Sequence, residues 1–208
     1  MRDAISKLAD AGFDLVHAFD AHDAARVPGW EVLAPGPRLG VLIGNTRALW
    51  PRFVAALSDG SLAGEPNPLE HYTEHTIAST FPTTTPLFVH RRYGGAFLPF
   101  QRLAIATGLG ALAPSQLVIH PIYGPWFALR AVITLDGDPP ARQPIAQPCT
   151  CDAACGEALA NAIATTPPSW RAWLGVRETC ALRAWRYSDE QIAYHYTRAF
   201  PGAGQSQR

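Results

Sequence analysis

The feature that most constrains this chain is the segment IHPIYGPWFALRAVITLDG, residues 119–137. An apolar run at residues 116–120 is interrupted by Pro121, Gly124 and Pro125, and a longer run, residues 126–135, follows at once. Two apolar runs flanking a Pro/Gly cluster predict a β-hairpin. The second run has almost no polar face, so it is expected to be a strand covered on both sides, in the middle of a sheet. At a period of two, Phe127, Leu129, Ala131, Ile133 and Leu135 share one face, and Trp126, Ala128, Arg130, Val132 and Thr134 the other. Arg130 therefore falls in a buried row. An unpaired guanidinium there costs on the order of several kcal/mol, so it requires either an internal carboxylate or an anionic ligand.

At 208 residues the chain is expected to form one domain over 1–208, with residues 200–208 as a flexible tail. Its 17 basic and 17 acidic residues balance, so no attraction to nucleic acid or to an anionic membrane is implied. A small-molecule partner is the better expectation. Lys7 is the only lysine; the remaining positive charge is arginine, whose fork suits carboxylates and phosphates. With no signal-peptide pattern and no apolar stretch long enough to span a bilayer, the chain reads as cytoplasmic.

Helical spacing and stop signals predict a helix over 3–11 ended by Gly12, and the alternation FDLVHAF predicts an amphipathic strand over 13–19. A loop follows over 21–37, then a buried strand over 39–43. Thr46 is placed to cap a helix that runs through Leu49, Phe53 and Leu57. Further expectations are a helix from Pro68, a short strand over 87–90, a turn over 91–95 and a helix over 97–107. After the hairpin come a Pro-rich connection over 136–148 and helices over 152–164, 170–176 and 188–198. Ser188 and Gln191 form a capping-box pair at the start of the last.

Two apparent metal motifs fail on spacing. His71 and His75 are four apart on a helix, but Tyr72 stands where a zinc protease needs its glutamate, so a solvated helix face is expected. Cys149, Cys151 and Cys155, with Cys180 apart, match neither paired Cys-x2-Cys nor the ferredoxin run. An iron–sulfur cluster on these four cysteines stays open beside free or redox-reactive thiols, and no metal site is assigned. Gly108 and Gly110 are too sparse for a phosphate loop.

The segment IHPIYGPWFALRAVITL resembles the signature of the CblC family of cobalamin-processing proteins: a His-Pro pair, an aromatic-Gly turn and a Trp-Phe-Ala-x-Arg strand in the same order. Arg186 to Gln191, with Ala193 and Tyr194, is similar to the family's late helix. Weaker similarities lie in Gly12-Phe13, in Pro35-Gly36-Pro37, in residues 45–57 and in Trp170-Arg171-x-Trp173, so the resemblance runs nearly the whole chain. The stretch from Ala106 to Pro121 also resembles epoxyqueuosine reductases, cobalamin-dependent relatives that carry iron–sulfur clusters.

The resemblance implies an α+β fold of flavin-reductase or nitroreductase type, with a mainly antiparallel central sheet flanked by helices. It implies a cavity that holds cobalamin base-off while the upper axial ligand is removed, by reductive decyanation with a reduced flavin such as FMN or by attack of a glutathione thiolate on an alkyl group. Hand-over to cobalamin-using proteins, as a monomer or homodimer, belongs to the same expectation. Carried over residue by residue, corrin contacts fall on Leu98, Pro99, Phe100 and Gln101, on Val118 and on Leu129, with His120 and Trp126 in the signature beside them. Gln101 is either a holder of a corrin amide or a surface helix residue. Tyr187 and Tyr194 either line the cavity or pack the core. Arg130 matches an arginine that faces the bound thiol peptide, Arg177 matches a second one loosely across two inserted residues, and Arg198 is the nearest substitute for a third. Pro125 replaces the second turn glycine. Two other functions fit the same residues: a flavin-dependent reductase of a small acceptor, and a non-catalytic cobalamin carrier.

Overall fold

The computed structural model describes residues 1–141, 149 and 154–198. Cys151, the tail over 200–208 and most of the Pro-rich connection lie outside the described residues. In chain order the elements are α1 (Arg2–Asp10), β1 (Leu15–Asp20), α2 (Trp30–Leu33), β2 (Leu39–Asn45), α3 (Leu49–Ser58), α4 (Pro68–Thr80), β3 (Leu87–Phe88), β4 (Arg92–Tyr93), β5 (Ala96–Phe97) and α5 (Phe100–Ala106). They continue with β6 (Ala111–Leu112), β7 (Val118–Ile119), β8 (Ala128–Leu135), α6 (Ala154–Ala164), α7 (Trp170–Glu178) and α8 (Asp189–Thr197). Among the described residues no helix is long and apolar enough to cross a membrane.

Four strands form an antiparallel sheet in the order β1-β2-β8-β3, so the long apolar run is an interior strand, as its lack of a polar face requires. All seven residues of β2 are buried, which fits its place beside β8. One face, with Val41, Ile43, Ala131 and Ile133, packs on Leu8, Phe53, Ile77 and Tyr194 from α1, α3, α4 and α8. The other, with Leu15, Phe19, Leu42 and Val132, packs on Trp30, Phe100 and Leu103. The mainly antiparallel sheet flanked by helices is thus the α+β architecture expected.

The hairpin expectation is corrected. Residues 118–119 pair with β6, not with β8, and only a single bridge, His120 with Gly124, closes the turn between them. Three features of 120–126 explain this. The His120 Nδ1 accepts the amides of Ile122 and Tyr123 at 3.1 and 3.3 Å, drawing the backbone into a local turn. Pro125 offers no amide to a ladder. Gly124 packs so closely on the Leu182 carbonyl that a Cβ there would lie 2.0 Å from it. The chain leaves the small β6–β7 ribbon and enters the main sheet separately.

The strict two-residue alternation in β8 also needs correction. Ile43 opposes Ala131 but Gly44 opposes Leu129, leaving Arg130 as the extra residue of a β-bulge. Leu129 and Phe127 consequently share a side with Val132, whereas Ala131 and Ile133 face the opposite layer. Gly44 is required at the bulge, because a Cβ would meet the Ala128 carbonyl at 2.5 Å.

Other departures are local. The loop over 21–37 contains a 3-10 turn at Ala21–Ala24 and the short α2. Phe97 ends a two-stranded ribbon rather than starting a helix, and α5 begins three residues later, after Pro99. Thr46 does accept the Ala48 amide at 3.3 Å, but its hydroxyl also donates to Asp14, and α3 starts at Leu49. Ser188 caps α8 by accepting the Gln191 amide at 3.2 Å; the Gln191 side-chain oxygen makes no return bond.

Candidate functional site

On the Leu129 side of the bulged strand lies a cavity of about 200 Å³ lined by Phe100 and Gln101 from α5, Leu117 and Val118 from around β7, Phe127 and Leu129 from around β8, and Arg177 from α7. Five of the residues carried over from the family resemblance, Phe100, Gln101, Val118, Leu129 and Arg177, therefore meet around one space although 77 positions separate the first from the last (177 minus 100). Phe100 and Val118 are buried, Leu129 is half-buried, and Gln101 is exposed, which suits an apolar floor with a polar rim. Arg177 is fastened by a 2.6 Å hydrogen bond from Nη1 to the Pro125 carbonyl. The substituted turn position thus has a definite structural role, because its carbonyl aims the arginine.

Leu98 and Pro99 do not line this cavity. They border a second apolar groove of about 550 Å³ on the far side of the same segment, with Val32, Leu33, Tyr93 and Phe97. The segment 98–101 is the wall between the two spaces.

Arg130 lies on the opposite side of the sheet from Leu129, and the bulge sets it with the α4 and α8 layer rather than with Val132. Its Nε donates to the Oδ1 of buried Asn45 at 2.6 Å, and the groups whose charges act on it, Tyr187, Glu70, Arg198 and Tyr194, belong to α4 and the α8 region. Of the two alternatives for this arginine, the internal carboxylate is not realised: among the described residues no carboxylate lies within ion-pair distance of it. Glu70, the nearest acid in its surroundings, is taken by Arg198 at 2.8 Å. Burial pulls the Arg130 pKa down from its ordinary value, the neighbouring Arg198 adds to that, and Tyr187 and Glu70 oppose it. A guanidinium with one neutral partner, and with its two terminal nitrogens free of acceptors among the described residues, is equipped to bind an anion.

Three buried polar atoms, Trp126 Nε1, the Tyr187 hydroxyl and Gln191 Oε1, are satisfied by no described residue. Trp126 and Tyr187 meet edge to face at 5.7 Å. Burial pushes the Tyr187 hydroxyl up to about 12, against the fields of Arg177 and Arg130. Tyr194 is buried against Phe53 and Trp50, so it packs the core while its ring lies 5.9 Å from the Arg198 guanidinium. His120 stacks on Tyr123 at 4.5 Å, and burial lowers it to about 4.

One contributor escaped sequence reasoning. Asn45 ends the all-apolar strand LGVLIGN, and that single polar residue at a strand end was the available signal. Cys149, Cys155 and Cys180 join one apolar group with Ala113 and Ile119; Cys151 lies outside the described residues, and among the described residues no set of three potential ligands is positioned to hold a metal. The flavin expectation finds no support in the cavity, which apart from Gln101 and Arg177 offers a flavin edge few donors.

No family model matches the chain, and no curated protein sequence matches it. Among solved structures, the B12-trafficking protein CblC from C. elegans, a homologue of human MMACHC, superposes with a TM-score of 0.60 at 18% sequence identity, over 93% of this chain and 89% of that one. At that identity what is shared is the backbone architecture, and it extends from one end of the chain almost to the other: the chain has the fold of CblC.

Proposed function

We propose that this protein binds cobalamin base-off and removes its upper axial ligand, using a thiol for alkyl groups. The observation that carries the reading is the convergence of Phe100, Gln101, Val118, Leu129 and Arg177 on one cavity, next to an arginine that has no internal counter-ion among the described residues. The name of the C. elegans neighbour, a B12-trafficking protein, supports it on the level of ligand class.

A space of about 200 Å³ is smaller than the roughly 300–1,000 Å³ typical of ligand sites, so it takes one edge of a corrin and not the whole ring. The apolar groove across the 98–101 segment supplies further contact area for the remainder. Gln101 is the side chain to accept or donate to a corrin amide. In the reaction, the thiolate attacks the alkyl carbon, the carbon–cobalt bond breaks, its electron pair stays on cobalt and a thioether leaves. The protein's share is to exclude water from the apolar cavity and to hold the thiol donor through its carboxylates on Arg130 and Arg177.

The test is a spectroscopic titration of methylcobalamin with purified protein, followed by glutathione. A shift to the base-off spectrum, then thioether formation only after thiol addition, is the expected result. An unchanged corrinoid spectrum at saturating protein would sink the proposal, and a base-off shift with no thiol-dependent turnover would reduce it to a carrier.

A further inference from the structure

Arg130 is held by a chain of hydrogen bonds that crosses the sheet from its β1 edge to β8. Asp14, the residue before β1, accepts the Thr46 amide at 2.7 Å and the Thr46 hydroxyl as well. The Thr46 carbonyl accepts Asn45 Nδ2 at 2.8 Å, and Asn45 Oδ1 accepts Arg130 Nε at 2.6 Å. Asn45 and Thr46 are fully buried, and Arg130 is half-buried. Asn45 is the last residue of β2 and shares a face with Ile43; the bulge opposite Gly44 brings Arg130 to that same face. Only one orientation of the Asn45 amide satisfies both neighbours, because a guanidinium offers donors alone and a carbonyl accepts alone.

We infer that Asn45 is the positioning residue for Arg130, and that its neutral amide is what leaves the guanidinium charge to an anionic ligand. The inference rests on the thiol-peptide reading of Arg130 and names the residue that prepares it. Two effects combine, aim and charge. With Nε bonded to Asn45, the guanidinium plane is fixed, and its Nη1–Nη2 edge, which has no acceptor among the described residues, is left for a carboxylate to grip end-on. A long side chain ordered before the ligand arrives loses less entropy on binding.

Charge is the second effect. An aspartate at position 45 would keep the shape of the side chain but pair with Arg130 internally, as a buried arginine ordinarily does. The amide accepts the same hydrogen bond without neutralising the cation. Asp14, the carboxylate of this chain of bonds, stands at its far end and is satisfied by Thr46 instead of by the guanidinium.

The experiment measures, by calorimetry near neutral pH, the binding of S-methylglutathione to the full chain without corrinoid. This probe has the carboxylates of the thiol peptide and no sulfhydryl to react. Asn45→Asp should weaken binding by about tenfold or more, and Asn45→Ala, which removes the aim but adds no charge, by roughly threefold. A merely structural role predicts the opposite order, because alanine truncates a buried side chain while aspartate keeps its shape. The Arg130 Nε–H resonance, identified by its loss in Arg130→Ala, should be protected from hydrogen exchange in the wild type and in Asn45→Asp, and should lose that protection in Asn45→Ala. Urea transitions report whether the variants fold; if Asn45→Asp does not, the affinity and exchange of Asn45→Ala decide alone. Wild-type affinity in either variant, a larger loss with alanine than with aspartate, an unprotected Nε–H in the wild type, or failure of the wild type to bind the probe would each overturn the inference. A wild type that binds the probe as described but gives no base-off shift or no thiol-dependent turnover would overturn the proposed reaction and leave this inference standing.

Discussion

The two sides of β8 around its bulge differ in kind. On the Leu129 side the strand meets Phe100, Val118 and Phe127, an apolar cavity with a single glutamine and one arginine at its edge. On the Arg130 side, one residue away, the guanidinium bonds buried Asn45, and buried indole, phenol and amide atoms of Trp126, Tyr187 and Gln191 have no hydrogen-bond partner among the described residues. The first is mainly apolar and the second polar and cationic. The proposed reaction of a thiol with a corrin-bound alkyl group would draw on both, and adjacent strand residues present them on opposite faces. Arg177 connects the two, since it lines the cavity while its field reaches Tyr187.

The comparison can be broken most severely at Trp126, which is 1% exposed and packs against Tyr187 and Ile192. Trp126→Ala should cost about 3–5 kcal/mol of stability in urea denaturation. A loss under about 1 kcal/mol would mean that Trp126 is not rigidly packed there. Next, Arg130→Ala should leave the base-off spectral shift intact and slow thiol-dependent dealkylation by roughly a hundredfold, the worth of one or two charge-assisted hydrogen bonds. Full activity would show that Arg130 does not hold the thiol; loss of the base-off shift would show that the two sides are not separable.

Gly44→Ala sharpens the role of the bulge itself. Its Cβ would press on the Ala128 carbonyl, so a destabilisation of about 1–3 kcal/mol is expected, with Arg130 displaced from Asn45 and dealkylation slowed more than corrin binding. Equal losses in both would argue against a specific link between the bulge and Arg130. The smallest effect is expected from His120. Burial lowers its pKa to about 4, so the unfolded chain, near 6.5, binds the proton first. Its contribution is complete above about 6.5 and is lost as pH falls through about 4, where protonation also removes the acceptor for Ile122 and Tyr123. The wild-type urea midpoint should therefore drop between pH 7 and 4, and His120→Asn should flatten that drop.

Much of this was legible before any coordinates. The unbroken apolar run of 126–135 already demanded an interior strand, and the single arginine within it demanded a partner, because burial of a lone charge is costly whatever the fold. The capping pair at Ser188 and the Pro at the start of α4 marked helix starts through local hydrogen-bonding rules alone. What the sequence by itself determined, then, was which residues had to be inside and which of them would be awkward there. The tertiary structure decided which way they face. Alternation along a strand is a local rule, and it fails at a bulge, which exists only because Gly44 on another strand lets the Ala128 backbone come close. The same holds for the partner of residues 118–119 and for the bond from Arg130 to Asn45: pairing and proximity between segments far apart in the chain depend on packing energies summed over the whole core, and no window of sequence contains them.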